Sequence, residues 1–121
     1  MEQLTLVLGA SAKPERFSNK AVLRLQKLNY PVIALGLRDD YIGSIRIRQG
    51  MPADLGPVHT LAMYLGARNQ KQYYDYIISI KPVRIIFNPG TINPELTDLA
   101  CRNGIRTVND CVLTMLNCGR Y

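Results

Sequence analysis

The sequence predicts an α/β domain with a mainly parallel five-stranded sheet and helices on both of its faces. Three observations carry that expectation. Short apolar runs recur along the 121 residues, and each ends at a small residue or a turn, as strands buried on both faces do. Segments with the 3.6-residue apolar period of a helix alternate with those runs. No internal repeat, low-complexity tract or linker interrupts the alternation, so residues 1–121 are expected to form one domain with one core.

The first strand is Leu4 to Leu8, nearly all apolar and followed by Gly9. Arg16 to Leu28 reads as a helix, with Phe17, Ala21, Val22, Leu25 and Leu28 on one face and Ser18 and Asn19 placed to cap its start. Asn29-Tyr30-Pro31 stops it, and Val32 to Leu35 forms a second strand ending at Gly36. Arg38 to Gly56 reads as an excursion with at most an edge strand, at Ser44 to Arg48. Val58 to Leu65 is the third main strand. Asn69 to Ile80 follows as a helix, with Tyr73, Tyr76, Ile77 and Ile80 on one stripe. Val83 to Phe87 is the fourth strand, ending at Asn88-Pro89-Gly90. Pro94 to Asn103 is a helix closed by Gly104, Ile105 to Val108 the last strand, and Asp110 to Leu116 the last helix. The order βαβ…βαβαβα defines a three-layer, Rossmann-like arrangement.

Composition narrows the function classes. No apolar run approaches the ~18–20 residues needed to span a bilayer. Met1-Glu2-Gln3-Leu4 lacks the basic start of a secretory leader. Three cysteines without CxxC spacing argue against a disulfide framework or a zinc knuckle, and a reducing cytoplasm is the expected setting. The net charge of +6 implies an anionic partner. The cations are scattered, concentrated only at Arg46-Ile47-Arg48, so a nucleic-acid tail is not indicated.

Ligands of open parallel sheets bind beyond the C-terminal strand ends, near the switch in strand order. Those ends are Gly9-Ala10-Ser11, Gly36-Leu37-Arg38, Leu65-Gly66-Ala67 and Asn88-Pro89-Gly90. Small residues at all four let backbone approach a ligand, and the amides of the first loop with the following helix start form an anion site. Ser11 adds a hydroxyl. The full GxGxxG pattern is absent, and no acidic residue closes the second strand to grip a ribose diol. Arg38 stands there instead, which suits a phosphate on the ribose.

The segment Leu8-Gly9-Ala10-Ser11-Ala12-Lys13-Pro14-Glu15-Arg16-Phe17-Ser18 resembles the opening of the small stand-alone CoA-binding proteins. Their domain is similar to the CoA-binding domain of the succinyl-CoA synthetase α subunit. Phe87-Asn88-Pro89-Gly90, Gly104-Ile105 and Asp110-Cys111 extend the resemblance over essentially the whole chain. Two positions depart from it. Leu35-Gly36-Leu37-Arg38 replaces the family's Asn-Pro-Arg/Lys turn, and His59 stands where an acidic residue is usual.

The resemblance implies that coenzyme A, or an acyl-CoA, lies across the C-terminal edge. Gly9, Ala10 and Ser11 would meet the pyrophosphate, with Lys13 and Arg16 nearby, and Arg38 would neutralise the 3′-phosphate. Leu65, Gly66 and Ala67 would flank the adenine or pantetheine, while Asn88, Pro89 and Gly90 would line the far side. The ligase's phosphorylated histidine belongs to a second domain this chain lacks, so ligase activity is not carried over. An NAD(P)-binding protein, or an interaction module that lost its ligand, remains the alternative.

Other candidates read more simply. His59, the single histidine, lies at the start of a strand and excludes a multi-histidine metal site. Asp39-Asp40 reads as a solvated turn, and Tyr74 as helix surface. Cys111 lies near a helix start, where a thiol is more reactive, and thiol exchange with CoA is a reading it allows. No nucleophile–base pair or metal cluster emerges, so no catalytic group is assigned. Oligomeric state, acyl group and pathway are not written in the sequence.

Overall fold

The structure, a computed structural model, describes residues 3–121; the reading of the N-terminus at Met1-Glu2 lies outside them. Its elements run β1 (Thr5–Ala10), α1 (Phe17–Lys27), β2 (Val32–Gly36), β3 (Asp40–Ile42), β4 (Ile45–Arg48), β5 (Thr60–Met63), α2 (Ala67–Gln70), a 3-10 turn (Lys71–Tyr73), α3 (Tyr74–Ile80), β6 (Arg84–Phe87), α4 (Pro94–Arg102), β7 (Arg106–Asn109) and α5 (Val112–Asn117). The strands form one sheet in the order β3-β4-β2-β1-β5-β6-β7. Every pairing is parallel except the β3–β4 hairpin.

The expected α/β class and mainly parallel sheet are present, but the sheet has seven strands rather than five. The difference lies in the excursion. Gly43, at φ +57, turns β3 onto β4, and β4 then docks parallel beside β2 with Ala34 opposite Ile47. Ile42 and Ile47 carry this docking, being 2% and 1% exposed. Only two buried positions, one in each strand, give too weak a pattern to show as two strands in the sequence. Two other boundaries also shift. The third main strand narrows to Thr60–Met63, the four residues with partners on β1. The helix expected over 69–80 breaks into α2, the 3-10 turn and α3.

Strand alternation divides the core between the two faces. Leu6, Leu8, Leu61, Met63, Ile85 and Phe87 point to the face covered by α3 and α4. Val7, Ala34, Ala62 and Ile86 point to the face covered by α1 and α5 through Ala21, Val22, Leu25, Val112 and Met115. The α1 stripe is narrower than expected. Phe17, the first residue of α1, is 68% exposed, and Leu28, just after its end, is 41% exposed. Tyr74 also departs from the surface reading: it packs partly buried against the core, accepts from Asn93 Nδ2 at 2.8 Å and donates to Glu95 at 2.9 Å.

The N-terminal edge of the sheet is closed by a polar cluster. Buried Arg84 donates to Thr60 Oγ1 at 2.8 Å and stacks on the Tyr121 ring, 4.7 Å from its centre. The Tyr121 and Thr5 hydroxyls are hydrogen-bonded to each other. His59 lies at this end, its Nδ1 2.8 Å from Thr60 Oγ1, far from the edge expected to bind. The C-terminal edge is open.

Candidate ligand-binding site

The chain winds from β1 outward through β2 to the hairpin, then crosses to the other side of β1 as β5. The strand order therefore reverses between β1 and β5, and the loops leaving these strands diverge to leave a crevice. Gly9, at φ +98, makes the first of those loops possible: a Cβ there would stand 3.0 Å from the Tyr64 carbonyl carbon. The two loops pass that closely because Tyr64 N–H donates to Leu8 O at 2.9 Å.

Two clefts open on this edge. The first, about 500 Å³, is lined by Gly9, Ala10, Ser11, Lys13, Arg16, Gly36, Arg38, Leu65 and Gly66, nine of the twelve positions expected. The second, about 360 Å³, takes in Asn88 and Pro89. Gly9, Ser11, Arg16 and Tyr64 line both, so the clefts meet along the first loop. Both volumes fall within the ~300–1,000 Å³ usual for small-molecule sites. Gly90 and Ala67 lie on neither wall; Gly90, at φ +88, shapes the turn after β6 instead.

The first loop offers hydrogen-bond donors. Ser11 Oγ accepts from Lys13 N–H at 3.1 Å, which leaves its own proton free to donate outward. Arg16 precedes helix α1 at its N-cap position and makes no side-chain cap. The expected capping by Ser18 and Asn19 does not occur. Asn19 turns back and donates to the Ser11 carbonyl at 2.9 Å, bracing the loop, while buried Ser18 lines the second cleft. The first amides of α1 are thus left for an anion.

The cations are sorted by their partners. Arg46 is held by Asp39 at 2.7 Å and Arg48 by Asp54 at 3.0 Å, so the one local concentration of charge in the sequence is neutralised. The Arg46 guanidinium holds the Asp39 carboxyl below its usual range. Lys13, Arg16 and Arg38 take part in no ion pair among the described residues, and all three border the first cleft. Asp40, read from the sequence as part of a solvated turn, starts β3 and also lines this cleft.

Asn88 lines the second cleft and also braces its wall. It is 4% exposed, and its amide donates to Met63 O and accepts from Val112 N–H, each at 2.9 Å. It clamps β5 to the start of α5 and so fixes the wall. Its neighbour Tyr64 was not singled out in the sequence, where it reads as one tyrosine among several. The Tyr64 hydroxyl is closed to solvent beside the Asn88 amide. Burial pushes its pKa well above the usual phenol value, the Cys111 thiol and Tyr121 add to this, and the Asn88 amide opposes it.

The fold is of the parallel α/β class, with a crevice where the strand order reverses. The sequence matches the family model of the CoA binding domain over residues 3–117, and the chain belongs to that family. It is similar to the crystal structure of an uncharacterized protein at 36% identity, with a TM-score of 0.95, covering 100% of this chain and 99% of the other. The same fold recurs in the structure of cell-free ID.343 from Thermus thermophilus, at 19% identity and TM-score 0.86, covering 99% and 91% of the two chains. A hypothetical protein from Pyrococcus horikoshii OT3 shares it at 21% identity and TM-score 0.82, covering 93% and 80%. No curated protein matches the sequence. Among the described residues, no helix is long and apolar enough to cross a membrane.

Proposed function

We propose that the protein binds coenzyme A, or an acyl-CoA, across the C-terminal edge of the sheet at the crevice between β1 and β5. The observation that carries this reading is the triplet of cations without carboxylate partners, Lys13, Arg16 and Arg38, around a cleft floored by backbone. CoA carries phosphate at two separated places, a pyrophosphate and a ribose 3′-phosphate. Gly9 to Ser11, the uncapped start of α1, Lys13 and Arg16 suit the first. Arg38, beyond β2, suits the second. Leu65 and Gly66 then flank the adenine or pantetheine, with Asn88 and Pro89 on the far wall. No residue is assigned a catalytic role.

Calorimetric titration with CoA, dephospho-CoA, NADP and NAD tests the assignment. CoA is expected to bind more tightly than dephospho-CoA, by about tenfold for one charge-assisted contact to the 3′-phosphate. Arg38→Ala is expected to erase that difference. Tighter binding of NADP than of CoA overturns the reading in favour of a dinucleotide, and no binding by any of the four overturns it in favour of an interaction module.

A further inference from the structure

Lys13 and Arg16 reach the first cleft from the β1–α1 loop, whereas Arg38 stands on the short link Leu37–Asp39 between β2 and β3. Arg38 is exposed and takes part in no ion pair among the described residues. An arginine on a loose surface link gives up much conformational freedom to make one contact, so a link fixed beforehand binds more tightly. Both residues that flank Arg38 are tied down. On one side Gln49 Nε2 donates to the Leu37 carbonyl at 2.9 Å. On the other, Arg46 Nε and Nη2 donate to the two Asp39 carboxylate oxygens at 2.9 and 2.7 Å.

We propose that Asp39 and Gln49 are positioning residues that hold Arg38 ready for the ribose 3′-phosphate of CoA, with the β3–β4 hairpin as their frame. The proposal rests on the CoA-binding reading above. Both anchoring bonds run to β4, one at Arg46 within the strand and one at Gln49 just after it. That strand is itself fixed to the sheet: Ala34 and Leu35 of β2 face Ile47 and Arg48, and Ile47 is buried. Gln26 of α1 donates to Ser44 Oγ at 2.6 Å and ties the hairpin turn to the helix beneath. Asp39, Arg46 and Gln49 do not line the first cleft, while Leu37 and Arg38 do. The anchors therefore act on a ligand through Arg38.

Charge separates this role from plain electrostatics. Asp39 is an anion next to Arg38 in the chain, so as a bare charge it repels a phosphate bound there. Removing it would then strengthen CoA binding, the more so because Arg46 is released. As a positioning residue its loss weakens CoA binding instead. Gln49 carries no charge, so its loss acts only through the link. The two-bond geometry of the Arg46–Asp39 pair favours order, but the side chains are 59% and 47% exposed, so solvent limits what the pair contributes.

The test is calorimetric titration of the wild type, Asp39→Ala and Gln49→Ala with CoA and dephospho-CoA, with urea unfolding to check each variant. The two ligands differ only in the 3′-phosphate, so general damage to the site lowers both affinities and leaves their ratio unchanged. The preference for CoA is expected to fall from about tenfold in the wild type to about threefold or less in each variant. The loss should lie in the affinity for CoA and not in that for dephospho-CoA. The wild-type preference retained in either variant, a preference above it in Asp39→Ala, equal loss of both ligands, or loss of cooperative unfolding overturns the proposal alone. A wild type that binds neither ligand, or binds both equally, overturns the parent assignment of Arg38 and the proposal with it.

Discussion

A Cβ at Gly36 would stand 2.4 Å from the Ala10 carbonyl oxygen and 2.8 Å from an Ile47 methyl, whereas one at Gly66 would meet nothing within 4 Å. Both glycines line the first cleft. Gly36 is there because β1, β2 and β4 pack too tightly for a side chain. Gly66, at φ −63, has no such cause in the protein, and a ligand close to its backbone would supply one. Gly36→Ala is therefore expected to lower stability by about 1–3 kcal/mol in urea unfolding. Gly66→Ala should leave stability within about 0.5 kcal/mol yet weaken CoA binding in calorimetry. Glycines at strand ends were visible in the sequence, but which were needed for packing was not, because their neighbours come from distant segments. Tyr64 was hidden for the same reason: only β5 lying beside β1 brings it to both clefts. His59 gives a prediction at the opposite edge. Burial, then Arg84 and Arg106, hold its pKa below the usual 6.5. The unfolded chain therefore takes up the proton first, so this contribution to stability is complete above about pH 6.5 and declines as pH falls below it. Thermal melts between pH 5 and 7 should show that decline reduced in His59→Gln.

The helix ends were more legible than the hairpin. Asn29 at φ +66 and Gly104 at φ +74 end α1 and α4 in the same way. Tyr30 N–H reaches back to Leu25 O, and Ile105 N–H to Ala100 O. Such stops depend on one local residue type, so a sequence displays them. The break between α2 and α3 depends instead on tertiary bonds. Fully buried Gln70 donates to Leu65 O at 2.9 Å and to Thr91 O at 2.8 Å, and receives a bond from Asn93 at 2.9 Å. Asn93 also caps α4 by accepting from Glu95 N–H and Leu96 N–H. It thus ties the loop after β6 to the segment that follows the Leu65-Gly66 turn. Asn93→Ala removes a cap and leaves Gln70 short of a buried partner, and is expected to destabilise by about 2–4 kcal/mol in chemical denaturation. The strand expected at Ser44 to Arg48 is β4, but its partner β3 stayed hidden because the two buried positions, Ile42 and Ile47, are separated by polar turn chemistry.

At the scale of the molecule, the two edges of the sheet are built differently. The N-terminal edge is sealed by Arg84, Thr5, Thr60 and Tyr121, which bond to one another. The C-terminal edge keeps an uncapped helix start and two joined clefts. The parallel order of the main strands was legible because βα alternation leaves few topologies, and it located the edge before any side chain was placed. The sequence could not show which cations remain unpaired there: Arg46-Ile47-Arg48 drew notice by proximity, yet Asp39 and Asp54 cancel its arginines. The central claim, that CoA lies at the β1/β5 crevice, is tested most directly by an NMR titration of backbone amides with CoA. The largest shift changes are expected at Gly9 to Lys13, Gly36 to Arg38 and Tyr64 to Gly66, with His59, Arg84 and Arg106 unmoved. Changes centred on those last three residues, at the sealed edge, would contradict it.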